Sequence, residues 1–132
     1  MNRTVKMLLV ARKDLNLPDN MLAIQVAHAA MYMAVRIAIS EEKTFHSWGM
    51  NHYMKELYRA NSLLHLQSLN VRAEEMLLPR YLFTDTFPVT PVKGQVRING
   101  ARSTTLSTVL AIGPCDAMLI NELISVENLS AW

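Results

Sequence analysis

The sequence contains few of the residues that mark specialised protein classes. Among 132 residues there is one cysteine, Cys115, which excludes an internal disulfide framework and a cysteine-ligated metal site. Four glycines and five prolines are too few for a fibrous or low-complexity chain. The first residues place charges close around a short apolar run, which does not fit a secretory signal. We therefore expect a cytoplasmic globular protein that folds as a single domain over residues 1–132.

An excess of one charge sign is also absent. The formal net charge is +2 and 51% of the residues are apolar, a balance that permits binding to an anion such as RNA without requiring it. His46, His52 and His65 lack the H-x-x-x-H and H-E-x-x-H spacings of metal sites. We expect no metal and no cofactor.

The longest apolar run, residues 21–39, has the composition of a helix and carries four polar residues. Gln25, His28, Tyr32 and Arg36 follow one another at spacings of three, four and four, which places them on one helical face. The run is long enough to cross a membrane, but this polar face would be costly in lipid. We predict a buried helix of a soluble domain, without membrane contact, whose polar face meets water, a polar partner or a site.

Shorter segments indicate alternating strands and helices. Strands are predicted for residues 5–11, 80–87, 95–99 and 108–112. Asp116 is expected to cap a last helix over residues 117–124. Pro88, Pro91 and Gly94 indicate a turn, and Gly113 with Pro114 should end the strand before the last helix.

Residues 45–78 have the weakest pattern. Four residues recur there at helical spacing: Tyr53, Leu57, Ala60 and Leu64. Residues 71–78 indicate a further short helix that Pro79 ends. Together with the strands, these helices predict an α/β fold arranged as a three-layer sandwich.

Two segments near opposite ends of the chain carry motifs. Residues 8–30 contain an R-x-D-L turn at 12–15 and a helix reading Q-x-x-H-A at 25–29. Residues 107–123 contain T-V-L-A-I-G-P followed by A-x-L-I-x-x-L. Together the segments resemble the archaeal and eukaryotic type of peptidyl-tRNA hydrolase. The resemblance implies a roughly four-stranded mixed sheet flanked by helices, and hydrolysis of the ester that joins a peptide to the 3′ end of tRNA.

The loop before the long helix departs from that family. The family has Gly and Lys there, whereas residues 17–20 of this chain read L-P-D-N, with no lysine and one acid. Arg12 and Lys13 are the nearest cations, and either could substitute for the missing lysine. The family's helix between the second and third strands is also expected to be absent or displaced.

A second departure concerns the family's D-A-G-R-T-Q segment, which supplies an acid and a hydroxyl to the site. Our preferred alignment places residues 99–104 against it, which keeps Arg102 and Ser103 but puts Asn99 in place of the carboxylate. A rival alignment uses Asp85, which keeps the acid and loses the following Gly and Arg.

The resemblance implies roles for two groups of residues. Phosphate contacts are assigned to Arg12, Lys13 and Arg102. Orientation of water and polarisation of the ester are assigned to Gln25, His28, Ser103 and Thr104, with Asn99 in the position of the acid. Several of these residues also have an ordinary structural explanation: His28 could bond to nearby backbone, Gln25 could be a solvated polar residue, and the cations could be surface charges. Asp14 could be a catalytic carboxylate, but it more often forms a local turn or ion pair.

Two functions remain open at this point. The first is an aminoacyl- or peptidyl-tRNA ester hydrolase that releases tRNA and peptide. The second is a catalytically degenerate RNA- or protein-binding module on the same fold, motivated by the altered loop and by Asn99. A homodimer that uses residues 45–78 as its interface is compatible with either function.

Overall fold

The computed structural model describes residues 4–92, 95–98 and 102–132. For residues 88–92, 95–98 and 102–103 it gives the course of the backbone. The elements in chain order are β1 Val5–Arg12, α1 Asp19–Ser40, α2 Glu42–Met50, β2 Lys55–Ala60, α3 Leu63–Glu75, β3 Arg80–Val92, β4 Gln95–Ile98, β5 Arg102–Asp116, α4 Ala117–Val126 and β6 Ser130–Ala131.

The strands form one mixed sheet with the order β4-β3-β5-β1-β2-β6. β1 lies near the centre of this sheet, and all eight of its residues are buried, as expected for a strand covered on both faces. It pairs in parallel with β2 and antiparallel with β5, which in turn pairs antiparallel with β3. The sheet is mixed, as predicted, and β1, β3, β4 and β5 correspond to the four predicted strands. Within the described residues the strand count is six rather than roughly four, since β2 and the short β6 were not predicted.

Helices cover both faces of the sheet and confirm the predicted three-layer sandwich. Alternate residues of β1 point to opposite faces, so that Met7 and Leu9 pack with α1 and α2, whereas Leu8 and Val10 pack with α3 and α4. The two apolar cores therefore lie on opposite sides of one sheet, and the α1 face carries the residues that build the candidate site.

Helix α1 is buried along one face only. The buried residues are Leu22, Gln25, Ala29, Met33 and Ile37, a spacing that repeats once per turn. Of the polar residues that were predicted to share a face, Gln25 is buried, whereas His28, Tyr32 and Arg36 are exposed. By length and composition α1 could cross a membrane, but here its buried face packs against the sheet.

The segment 45–78 contains a strand where the spacing had indicated a helix. Residues 55–60 form β2, because pairing with β1 from Lys55 to Ala60 overrides a helical spacing that few residues support. The helix between the second and third long strands, expected to be absent or displaced, is present as α3. Its cap is Ser62, whose side chain accepts a hydrogen bond from the His65 backbone N–H.

Strands β3 and β5 are longer than predicted. β3 continues through Pro88 and Pro91 to Val92, so those prolines do not form the expected turn; Gly94 lies outside the described residues. β5 likewise continues past Gly113 to Asp116. Gly113 has φ +91°, which glycine adopts without strain, and its N–H donates to the Pro79 carbonyl at 2.8 Å.

Candidate active site

A buried glutamine connects α1 with two strands of the sheet. Thr108 Oγ1 on β5 donates to Gln25 Oε1 at 2.8 Å, and Gln25 Nε2 donates to Asp85 Oδ2 on β3 at 3.0 Å. Gln25 is 3% exposed and Thr108 is 1% exposed. Since a threonine hydroxyl that donates must face the amide oxygen, the amide nitrogen is directed at the carboxylate. The network therefore holds Asp85 in one orientation.

Asp85 is held as a carboxylate. The hydrogen bond from Gln25 lowers its pKa most, and the Thr86 backbone N–H at 2.8 Å lowers it further. Burial raises the pKa by less than these two bonds lower it, and the nearby His28 has the smallest effect, also lowering it. A carboxyl group whose pKa lies below its ordinary value is ionised at neutral pH. The site therefore contains a fixed negative charge beside α1.

The geometry supports Asp85, the acid of the rival alignment, as the carboxylate of the site, because Asp85 contacts Gln25 directly. Asn99, the residue of the preferred alignment, lies outside the described residues. The sequence signal for Asp85 was a single acid within a strand of aromatic and β-branched residues. Thr108 belonged to the T-V-L motif, but its burial and its bond to Gln25 were not visible in the sequence.

His28 lies one turn after Gln25 and is exposed. Its ring packs near Phe83 of β3, with ring centroids 5.4 Å apart and a tilt of 58°. Its imidazole acts electrostatically on Asp85. Gln25, His28 and Asp85 are thus brought together, and the first two are the pair that the helix motif singled out.

Arg12 is occupied by contacts within the protein. Its Nε and Nη2 donate to the two carboxylate oxygens of Asp14 at 3.1 and 2.7 Å, and its Nη1 donates to the Ser107 carbonyl at 3.2 Å. The residue is 9% exposed. Arg12 therefore joins the end of β1 to β5 just before Thr108, and Asp14 forms the local ion pair that was its ordinary interpretation.

The other two predicted cations lie in different places. Lys13 is exposed, and its ammonium group is 5.5 Å from the centroid of the Trp132 ring, a cation–π distance. Arg102 begins β5 and pairs with Val89 of β3. This pairing lies beyond the last β1–β5 pair, Ala11 with Val109, where β3 and β5 continue as a ribbon without β1.

Register along this ribbon separates the two predicted hydroxyl residues. Asp85 pairs with Leu106, and the next pair on the same face is Phe87 with Thr104. Position 103 pairs with Pro88 and so falls on the opposite face. Of the two, Thr104 shares the face of the Asp85 carboxylate.

Other reactive side chains do not extend this site. Cys115 is buried, and burial, with smaller effects of Asp116 and Glu41, raises the pKa of its thiol to about 12, so it is not an activated nucleophile. In the part of the chain that the structure describes, no three His, Cys, Asp or Glu side chains are grouped so that they could hold a metal ion.

Comparison with known proteins identifies a family and several relatives. A family model described as peptidyl-tRNA hydrolase PTH2 matches residues 5–128. A peptidyl-tRNA hydrolase of Thermococcus onnurineus is 27% identical over 118 residues, which cover 89% of this chain and 91% of that protein. A peptidyl-tRNA hydrolase of Saccharolobus islandicus is 28% identical over 124 residues, which cover 90% of this chain and 93% of that protein.

Proposed function

The chain belongs to the peptidyl-tRNA hydrolase PTH2 family, and from that premise we propose that it hydrolyses the ester between a peptide and the 3′ end of tRNA. The family resemblance found in the sequence is confirmed by that match, which covers nearly the whole chain. The observation that carries the proposal is the Thr108–Gln25–Asp85 network beside His28. We place this activity in the cytoplasm.

The chemistry that these residues support is attack by water on the ester carbonyl. His28 accepts a proton from the water as its oxygen bonds to the carbonyl carbon, and ionised Asp85 stabilises the imidazolium that forms. The bond from the carbonyl carbon to the ribose oxygen then breaks, and that oxygen takes the proton from His28. The products are the peptide acid, which releases the second proton of the water to solvent and becomes a carboxylate, and tRNA with a free 3′-terminal ribose.

Gln25 acts in this scheme through Asp85 rather than on the substrate. Its amide nitrogen donates to the Asp85 carboxylate, and its amide oxygen accepts from Thr108. The Thr104 hydroxyl, one pair along the same face of the ribbon, is the candidate to polarise the carbonyl oxygen. Ser103 is the weaker hydroxyl candidate because its position falls on the other face.

In this proposal Lys13 and Arg102 bind the phosphates of the RNA. Lys13 is exposed at the end of β1, and Arg102 stands on the ribbon that continues from Asp85. Lysine and arginine in such positions neutralise RNA phosphates. Arg12 instead donates to the Ser107 carbonyl, next to Thr108. Substitution of Arg12 is therefore expected to disturb the geometry of the site rather than a phosphate contact.

Hydrolysis is tested with purified protein and a labelled peptidyl-tRNA. We expect release of the peptide by the wild type, and a loss of about 100-fold or more in His28→Ala, because a positioned general base contributes that much. His46→Ala is the matched control, since His46 is an exposed helical histidine on α2. Folded wild-type protein that binds the RNA without releasing peptide would instead support the degenerate binding module.

We also propose that the protein forms a homodimer. Support comes from large apolar side chains that are exposed within the described residues. In the predicted interface 45–78 they include Met50, Met54, Leu64, Val71 and Leu77, and on α1 they are Ile24, Met31, Val35 and Ile39. A two-fold axis buries the same patch on both copies, so such residues can cover one another.

A further inference from the structure

Four rings form a continuous row that begins beside Asp85. They belong to His28 and Tyr32 of α1 and to Tyr81 and Phe83 of β3, and we call them the aromatic strip. Tyr81, Phe83 and Asp85 are alternate residues of one strand. The strip therefore leads away from the proposed catalytic carboxylate, along the junction of α1 and β3.

The outer end of the strip is a flat stacked pair. The rings of Tyr32 and Tyr81 have centroids 3.8 Å apart and are only 21° from parallel. Tyr81 then meets Phe83 at 6.2 Å and Phe83 meets His28 at 5.4 Å, both with steep tilts. Tyr32 is 47% exposed, which leaves much of its surface open to solvent. A parallel pair with an accessible outer ring can be extended by a further flat ring.

We propose that the aromatic strip stacks the unpaired bases at the 3′ end of the substrate RNA. This rests on the proposed function, since the reacting ester is bonded to the terminal ribose and the terminal base must lie close to Asp85 and His28. Proteins bind single-stranded RNA by stacking its bases on aromatic side chains, with cations on the backbone. The strip supplies the rings, and Arg36, exposed one turn after Tyr32, supplies a cation at its outer end.

The observations favour RNA bases over the peptide half of the substrate. Apolar peptide side chains prefer a concave apolar surface. Such a surface exists elsewhere, as a groove of about 300 Å³ between α1 and α2, lined mainly by Ala27, Ala30, Met31, Ala34, Phe45 and Trp48. Helical spacing puts its α1 residues on a different face from Tyr32. The strip is instead a row of half-exposed rings with polar tyrosine hydroxyls.

The experiment uses a short single-stranded RNA with 2-aminopurine at its 3′ end and no ester, so binding is measured apart from hydrolysis. We expect the wild type to quench the 2-aminopurine fluorescence, because this base loses emission when it stacks. Tyr32→Ala should abolish the quenching and weaken binding about tenfold, the size of one base–aromatic stack. Tyr32→Phe, which keeps the ring, should restore both.

Tyr53→Ala is the matched control. Tyr53 is 46% exposed and also packs against other rings, Phe45 and Trp48, but lies outside the strip. It should leave quenching and affinity unchanged. With peptidyl-tRNA as substrate, Tyr32→Ala should raise KM and leave kcat near the wild-type value.

Three results would overturn the proposal. The first is quenching that survives in Tyr32→Ala, and the second is an equal loss of quenching in Tyr53→Ala. The third is a rise in KM in Tyr32→Ala that depends on the peptide side chains of the substrate while this variant still quenches 2-aminopurine, which would assign the strip to the peptide. A protein that quenches through Tyr32 and yet hydrolyses no peptidyl-tRNA would refute the proposed reaction and support the stacking proposal.

Discussion

Gln25 shows how one buried amide can define a site. Its oxygen accepts from Thr108 and its nitrogen donates to Asp85, so each end of the amide has one partner. A buried amide with both ends satisfied does not rotate freely, because a flipped amide would set its oxygen against the Asp85 carboxylate, an acceptor facing an acceptor. The orientation of the Asp85 carboxylate therefore depends on a threonine that is itself buried.

Removal of the Thr108 hydroxyl tests this dependence. Thr108→Val keeps the shape but leaves Gln25 Oε1 buried without its donor, which should lower the free energy of unfolding by about 1–3 kcal/mol in urea titration. Hydrolytic activity should fall as well, because the amide no longer holds Asp85, and Thr108→Ser should restore it. Thr105→Val, an exposed threonine of the same strand, should change stability by less than about 0.5 kcal/mol. Unchanged stability and activity in Thr108→Val would contradict the role of the network.

Some residues of the site could be predicted from the sequence and others could not. Gln25 and His28 were found because helical spacing and a motif agree on them. The sequence favoured Asn99 over Asp85, because the alignment of residues 99–104 keeps Arg102 and Ser103. The contact of Asp85 with Gln25 depends on how β3 packs beside α1, which the sequence does not show. Arg12 was predicted to bind phosphate, but in the structure its guanidinium makes a bidentate pair with Asp14. That pairing depends on side-chain geometry, which the sequence does not show.

Among the elements, those with strong local patterns were predicted well. β1, α1 and α4 lie within a few residues of their predicted bounds, because each combines an apolar periodicity with a start or stop signal. β2 and the extensions of β3 and β5 were missed since they are fixed by partners distant in sequence. Pro88 and Pro91 are typical of turns, but the strand continues through them.

The exposed apolar face of α1 carries a prediction about assembly. We expect light scattering to give the mass of a dimer for the wild type, with dissociation on dilution. Met31→Glu should shift the protein to monomer if α1 forms the interface, and Leu64→Glu should do so if residues 45–78 form it, because a buried charge is costly. Val126→Glu, at an exposed apolar position on α4, serves as the control. A wild-type protein that stays monomeric at all concentrations would refute the homodimer.

At the scale of the whole molecule, a long segment of the sequence that follows Asp85 carries positive charge and no acid. Residues 86–115 contain Lys93, Arg97 and Arg102 and no acid, so this one segment carries more positive charge than the net +2 of the whole chain. A local excess of this kind steers an anionic ligand toward one end of a nearly neutral protein. In the proposed function, this excess would draw RNA toward the segment that follows Asp85.

The central claim is that Asp85, held by Gln25, is the carboxylate of a hydrolytic site. The most direct test is kcat/KM for peptidyl-tRNA in Asp85→Asn, compared with Asn99→Ala, which alters the other alignment's residue. Asp85→Asn keeps the size of the side chain and removes the charge that stabilises the imidazolium, so we predict a loss of about 100-fold or more with an unchanged fold. Asn99→Ala should remain close to the wild type. Full activity in Asp85→Asn, together with an inactive Asn99→Ala, would contradict the account.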